Sequence, residues 1–187
     1  MFHVTVYLWT TGGAAQAAVE RLFLAGHRKI GMIAGPEHVF TARERYLGYE
    51  EAFKKAGIEV QDSLVVHGDY TIAGGARAMK ELAKQNPQMT AVFVSNYEMT
   101  VGAMIESNEI GIRIPEDLSV IGFDNIEFAK ASNPKLSIVT QPTKEIGRNV
   151  AELILDRLDN PTREMPPKEM KLKTSFVEGK SVHILSV

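Results

Sequence analysis

The segment of residues 118–125, L-S-V-I-G-F-D-N, most constrains how this chain can fold. Its apolar run follows the turn signal Ile114-Pro115-Glu116-Asp117 and predicts a strand covered on both faces, as in parallel sheets. Asp124 then lies at the carboxyl end of this strand, where open α/β sheets bind their ligands. An acceptor-only carboxylate there is suited to gripping hydroxyl groups. The simpler alternative is a helix N-cap or turn aspartate.

Helical and strand patterns alternate along most of the chain. Apolar residues at three- and four-residue spacing predict two helices that end at Gly26 and Gly57, and further helices over residues 72–85 and 99–109. The predicted strands are residues 29–36, 63–70, 90–96 and 118–124. This rhythm indicates βαβ units with right-handed crossovers. The fold class that we expect is therefore α/β, an open parallel sheet with helices on both faces.

Composition and charge exclude several classes of protein. The 187 residues carry a formal charge of −2 and contain no cysteine, which excludes disulfide frameworks, thiolate metal sites and cysteine nucleophiles. The absence of a basic excess speaks against direct binding of nucleic acid through its phosphates. The apolar decapeptide at the start has neither a positive flank nor a cleavage site, and no run is long enough to span a bilayer. We expect a cytoplasmic protein.

Polar and aromatic side chains gather at one predicted rim of the sheet. Three strands end at such residues and the loop after the first strand adds three more, giving Tyr70, Asn96, Asp124, Thr41, Arg43 and Arg45. An aromatic ring can stack on the C–H face of a sugar, a carboxylate can accept from its hydroxyl groups and a guanidinium can donate to them. Each residue also has an ordinary structural alternative: a core tyrosine, a turn asparagine, or a solvated helix face for the arginines.

An enzyme is less well supported by the motifs. The five histidines have no metal-ligand spacing, and no serine lies in a G-x-S-x-G turn. His27 follows a helix cap, which favours a structural role. Gly12-Gly13 and Gly74-Gly75 do not match a nucleotide-binding loop. We therefore predict no catalytic residue, no metal site and no cofactor.

Five ordered segments carry a resemblance to a known family. Residues 12–36, 43–53, 68–70, 119–125 and 134–142, the last reading P-K-L-S-I-V-T-Q-P, are similar to the effector-binding core of the LacI/GalR family of bacterial transcription repressors. The resemblance implies a periplasmic-binding-protein-like fold, two subdomains with a sugar or nucleobase effector between them. It further implies that Arg45 grips the effector, Tyr70 stacks on it, Asn96 is a polar pocket residue and Asp124 binds its hydroxyl groups.

The resemblance also divides the chain. Residues 1–11 are a divergent, strand-like segment, 12–139 a nearly complete carboxyl-terminal effector-binding subdomain, 140–171 a crossover belonging to a partial amino-terminal subdomain, and 172–187 a tail. The apolar stripe of residues 141–158 would lack its usual cover, so we expect exposed side chains and self-association or low stability. N-Y-E-M at residues 96–99 departs from the family pattern and leaves the local helix start open. The tail lacks the family's basic pair.

The function implied by this resemblance is a sugar-responsive transcriptional regulator, present as an effector-binding and dimerisation domain. Its expected partners are a sugar or nucleoside effector and a second copy, which would contact the helices after Asn96 and Asp124. Operator DNA would be bound only through a helix-turn-helix headpiece that these residues do not include. A premature start or frame slip in the coding sequence, or a deliberate truncation, is our hypothesis for residues 1–11. The alternative function is a sugar-binding solute receptor with no role at DNA.

Overall fold

A mostly parallel sheet forms the centre of the molecule. The structure is a computed structural model that describes residues 6–8, 10–160, 168–170 and 172–185. Its helices are α1 (Thr10–Leu24), α2 (Phe40–Ala56), α3 (Ile72–Gln85), α4 (Tyr97–Glu109), α5 (Ile126–Ala131) and α6 (Thr143–Asp159). Its strands are β1 (Val6–Leu8), β2 (Ile30–Ala34), β3 (Val65–His67), β4 (Ala91–Val94), β5 (Ser119–Phe123), β6 (Ser137–Thr140), β7 (Lys168–Met170) and β8 (Ser175–Val177).

The strand order within the described residues places a topological switch point beside β2. Six strands run in the order β3-β2-β4-β5-β6-β8, and all neighbours are parallel except β6 and β8. After β2 the chain moves to one side of that strand to form β3, and it then returns to the other side to form β4. The loops that leave the carboxyl ends of β2 and β4 therefore diverge, and this opens a crevice at the rim.

Helices cover both faces of the sheet, as predicted. On one face α1 and α2 bury an apolar layer that includes Leu22, Tyr49 and Phe53 against β2, β4 and β5. On the other face α3 and α4 bury Met79 and Met99 against the same strands. Because β2, β4 and β5 are buried on both sides, their sequences are continuous apolar runs rather than alternating ones.

Helix boundaries agree closely with the sequence patterns. Gly26, the predicted left-handed cap of the first helix, has φ 94°. Gly57, where the second helix was predicted to stop, has φ 67°, and its N–H donates to the last turn of α2. The predicted helix of residues 72–85 matches α3. The departure at residues 96–99 does not prevent the next helix start, because the side chain of Asn96 accepts from the Met99 N–H and α4 begins at Tyr97.

Three differences from the predicted elements concern the strands. The strand predicted over residues 63–70 is shorter, because a 3-10 turn at Asp62–Leu64 precedes β3 and a loop follows His67. The strand β6 was not predicted, whereas the helix expected after Asp124 is present as the short α5. The strand β8 lies in the expected tail, yet it pairs antiparallel with β6 and completes the main sheet.

The tail is fastened to the sheet by a buried serine. Ser181 is fully buried, and its hydroxyl donates to the Val120 carbonyl at 2.6 Å while accepting from the Ser137 N–H at 2.8 Å. The division of the chain at residue 172, between a crossover segment and a tail, stays a prediction. Physically, residues 175–185 pack with the sheet formed by residues 30–140.

α6 and a small second sheet lie outside this core. β1 pairs in parallel with β7, so the start of the chain contacts the segment after α6. Of the predicted strand-like segment, residues 1–5 and 9 lie outside the described residues, and residues 6–8 form β1; Thr10 and Thr11 are instead the first residues of α1. None of the described residues of α6 is buried, and Ile154, Leu155 and Leu158 are 44%, 59% and 69% exposed. This agrees with the expectation that the apolar stripe lacks cover. Among the described helices, none is long and apolar enough to cross a membrane.

Candidate functional site

Arg45 lies against the carboxyl ends of the central strands β4 and β5. It is on α2, the helix that follows β2, and it is only 6% exposed. Its Nη1 donates to the backbone carbonyl of Ser95 at 2.5 Å, and its guanidinium carbon lies 3.9 Å from the centre of the Phe123 ring. Ser95 and Phe123 are at the ends of β4 and β5, so one side chain contacts the rim at two neighbouring strands.

The charge of Arg45 is only partly compensated. Burial lowers the pKa of its guanidinium, and the nearby Tyr70 and Asp124 oppose that change. The group nevertheless stays protonated, because arginine is not deprotonated in proteins. Its Nε is buried and has no hydrogen-bond partner within the described residues. A buried donor of this kind costs free energy until an acceptor reaches it.

Tyr70 brings an aromatic ring to the same site. Its φ of 63° lies in the left-handed region, which a tyrosine seldom adopts. The ring lies directly on Gly35, where the Cβ of any other residue would overlap it. The Tyr70 hydroxyl is buried and, among the described atoms, has no hydrogen-bond partner. Strained backbone and an unpartnered polar group are both features that concentrate at binding sites.

Asp124 is not a helix cap. The residue that caps α5 is its neighbour Asn125, whose side chain accepts from the Phe128 N–H at 3.0 Å. Asp124 itself has φ 62°, and its carboxylate accepts from Gln141 through both oxygens, from the side-chain Nε2 at 2.7 Å and from the backbone N–H at 3.3 Å. The structure thus assigns the capping role to Asn125 and leaves the Asp124 carboxylate at the rim.

Asn96 has both a structural part and an unused part. Its Oδ1 caps α4, and its backbone carbonyl accepts from the Thr100 hydroxyl at 2.7 Å. Its side-chain nitrogen makes no hydrogen bond within the described part of the chain. The adjacent Ser95 hydroxyl is fully buried and also lacks a partner there. The backbone carbonyl of Ser95 accepts from Arg45 Nη1, so this strand end is in direct contact with the arginine.

Thr41 and Arg43 differ in placement. Thr41 is half-buried and lies one helical turn before Arg45, so the two residues share a face of α2. Arg43 is exposed and two residues from Arg45, which places it on the opposite side of the helix. The structure therefore groups Thr41 with the site residues and directs Arg43 away from them. The role of both in binding stays a prediction.

Sequence reasoning did not select Ser95, Phe123 or Gln141 as site residues. Ser95 and Phe123 directly precede the predicted site residues at the ends of β4 and β5, and the sequence pattern predicts both as core positions. Gln141 follows β6 directly, so the rule that selected Asn96 and Asp124 would also have found it. Because β6 was not predicted as a strand, Gln141 was not recognised as a residue at a strand end.

The buried histidine His27 has a structural role. His27 is 1% exposed, and its ring nitrogens contact the Thr90 hydroxyl and the His183 carbonyl, both at 3.0 Å. Burial lowers the pKa of His27, which favours the neutral ring. In the part of the chain that the structure describes, no group of three or more His, Asp or Glu residues could hold a metal ion.

Comparison with known proteins identifies the family. A model of the family described as "Periplasmic binding protein-like domain" matches residues 19–182. The chain belongs to the periplasmic binding protein-like domain family. The expected resemblance to LacI/GalR regulators is confirmed, since its relatives in this family include transcriptional regulators of that type.

Three similar proteins illustrate the match. The chain is 37% identical to the HTH-type transcriptional regulator CelR of Thermobifida fusca, over 90% of this chain and 49% of CelR. It is 40% identical to the HTH-type transcriptional repressor CytR of Escherichia coli, over 78% of this chain and 42% of CytR. A solved complex of CelR with cellobiose superposes with a TM-score of 0.87 at 37% identity, covering 95% of this chain and 54% of that one.

This periplasmic binding protein-like domain spans about half the length of the curated relatives it matches. The similar proteins confirm the predicted fold class, with the refinement that one edge strand is antiparallel. They are transcriptional regulators rather than enzymes.

Proposed function

We propose that this domain binds a neutral, polyhydroxylated small molecule, a sugar or a nucleoside, at the rim formed by β3, β4 and β5. One observation carries the proposal: three of the buried polar atoms that lack partners within the described residues, Arg45 Nε, Tyr70 Oη and Ser95 Oγ, belong to this rim. Native proteins leave few such atoms unsatisfied. A ligand with several hydroxyl groups supplies both donors and acceptors to them.

The electrostatics favour a neutral ligand. Arg45 and Asp124 carry opposite charges close enough to interact, yet they do not form an ion pair with each other in the described structure. A hydroxyl group can accept from a guanidinium and donate to a carboxylate, so a diol can bridge the two. A purely anionic or cationic ligand would be repelled by one of them. The Tyr70 ring adds a surface on which an apolar sugar face can stack.

The similar proteins support a regulatory role. CelR and CytR are named as transcriptional regulators, and CelR was solved with cellobiose. We propose that this domain is the effector-binding part of a regulator of that kind, which acts on operator DNA in the cytoplasm through a headpiece outside these residues. The names of the relatives favour this over a solute receptor, the alternative that we considered from sequence.

Dimerisation belongs to the same proposal. The faces of α4 and α5 carry exposed apolar side chains, Ile105 at 49% and Ile126 at 37%. A homodimer through these helices would bury them. In such an assembly the effector would shift the population of subdomain orientations and thereby the separation of the paired headpieces.

A thermal melt against a ligand panel tests the proposed binding. The purified chain is heated alone and with cellobiose, ribose, glucose, adenosine and uridine at millimolar concentration. A ligand at a hundred times its dissociation constant adds about 2.7 kcal/mol to the free energy of unfolding. We expect one sugar or nucleoside to raise the melting temperature selectively, and not to do so in Arg45→Met. A transition that no member of the panel moves contradicts the proposal.

A further inference from the structure

Gln141 holds the Asp124 carboxylate on both of its oxygens. The side-chain Nε2 of Gln141 donates to Oδ2 at 2.7 Å, and the backbone N–H of the same residue donates to Oδ1 at 3.3 Å. A carboxylate offers about four acceptor positions, so about two remain for other donors. The bonds from Gln141 restrict the rotation of the Asp124 side chain and fix where its remaining acceptor positions point.

Gln141 also lies where the chain leaves the sheet. β6 ends at Thr140 and α6 begins at Thr143, so only Gln141 and Pro142 connect them. A residue that precedes proline is restricted to extended backbone, which makes this connection short and stiff. None of the described residues of α6 is buried, so packing contributes little to the orientation of this helix. The contact between Gln141 and Asp124 is therefore well placed to determine it.

We propose that Gln141 is a positioning residue for Asp124, and that through it occupancy of the rim sets the orientation of α6. This inference rests on the proposed function and names the residue through which the site is coupled to the rest of the molecule. Ligand hydroxyl groups that donate to Asp124 fix the same carboxylate that Gln141 grips. The coupling is reciprocal by thermodynamic linkage. A substitution of Gln141 that releases Asp124 is therefore expected to weaken ligand binding at the rim.

A swap of the two side-chain types tests the contact without any ligand. Gln141→Glu places a second carboxylate beside Asp124, and Asp124→Asn removes the charge that Gln141 stabilises. The double variant Asp124→Asn/Gln141→Glu restores one amide and one carboxylate with the partners exchanged. We expect its unfolding equilibrium constant, measured in urea, to lie about fivefold or more below the value calculated by adding the free-energy changes of the two single variants. Strict additivity would overturn the proposal.

A matched swap on α1 supplies the control. The side-chain amide of Gln16 donates to the carboxylate of Glu20 at 2.8 Å, so the chemistry of the bond is the same. Both residues belong to α1, however, and neither is one of the proposed rim residues. Because such a pair within a helix contributes little, we expect Gln16→Glu/Glu20→Gln to deviate from additivity by less than about twofold. A deviation as large as that of the Asp124 pair would show only a generic effect of the swap and would overturn the proposal.

Hydrogen exchange tests the coupling to α6. The probe is whichever of cellobiose, ribose, glucose, adenosine and uridine raises the melting temperature. In the unmodified chain, we expect the saturating probe to slow exchange at the amides of residues 146–150 about threefold or more. In Gln141→Leu, the probe should bind about fivefold more weakly and the slowing should be lost even at saturation. Unchanged affinity with retained slowing would overturn the inference. If no probe binds the unmodified chain, the proposed function fails, and the ligand-free swap decides whether Gln141 positions Asp124.

Discussion

Arg45 on α2 donates through Nη1 to the carbonyl of Ser95 at the end of β4, across a sequence separation of fifty residues. This hydrogen bond joins the two segments that diverge at the switch point of the sheet. It also leaves the guanidinium Nε without a partner in the described residues. The bond thus stabilises the rim and at the same time presents an unused donor to it.

Removing the charge of Arg45 should weaken ligand binding. Arg45→Met keeps an unbranched apolar side chain over Phe123 and deletes the donors. We expect the affinity for the sugar or nucleoside found in the melting panel to fall by more than about tenfold, or about 1.4 kcal/mol, by isothermal titration calorimetry. Arg43→Met is the control, because Arg43 is exposed on the other side of α2 and should leave the affinity unchanged. Equal losses in both variants would contradict this role for Arg45.

Tyr70→Phe separates the hydroxyl group of the tyrosine from its ring. Since the buried hydroxyl has no partner among the described atoms, its removal should leave the free energy of unfolding unchanged or raise it by about 1 kcal/mol. If the hydroxyl serves the ligand, affinity should still fall about fivefold or more. Urea unfolding and calorimetric titration of the same samples measure the two quantities. A loss of stability without a loss of affinity would indicate a structural tyrosine.

Tyr49→Phe removes a buried hydroxyl group that, unlike that of Tyr70, has a hydrogen-bond partner. The Tyr49 hydroxyl donates to the Ile30 carbonyl at 2.7 Å, and the residue is fully buried between α2 and β2. Deletion of the hydroxyl leaves the carbonyl without this donor, so we expect about 1–2 kcal/mol less free energy of unfolding. Urea denaturation measures it. Ligand affinity should not change, because Tyr49 lies in the core beneath α2 and not at the rim.

His27 should make stability depend on pH. Burial holds the pKa of His27 below its ordinary value of 6.5, so the unfolded chain binds this proton more readily than the folded one. The contribution of the neutral ring is complete above about pH 6.5 and is lost as the pH falls below that value. We expect melting temperatures measured between pH 7.5 and pH 5.5 to fall less in His27→Gln than in the unmodified chain. Parallel curves would assign the pH dependence to other groups.

The exposed side chains of α6 should promote association. Leu155 and Leu158 are 59% and 69% exposed on a helix with an apolar stripe. Leu155→Gln/Leu158→Gln should reduce the weight-average mass in analytical ultracentrifugation at high protein concentration, with little change in the melting temperature. Leu22→Gln, at a fully buried position of α1, is the contrasting variant and should lower the melting temperature strongly. An unchanged mass in the α6 variant would contradict the association.

The sequence by itself determined the alternation of helices and parallel strands, because a strand buried on both faces must be a continuous apolar run and a helix that covers it must repeat its apolar residues every three or four positions. Residues 72–85 could be predicted as a helix for that reason, and Asp124 could be placed at a strand end. β8 could not be found in this way, because it is three residues long and its pairing with β6 joins residues 35 to 39 positions apart in sequence.

Only the tertiary structure decided which polar residues meet. Arg43 and Arg45 are equivalent as residue types, yet one is exposed and the other buried, because the orientation of α2 against β4 and β5 turns only one face of the helix to the rim. The grip of Gln141 on Asp124 likewise requires β5 and β6 to be neighbours. Local periodicity specifies the elements of a fold, whereas the chemistry of a site depends on long-range packing that periodicity does not encode.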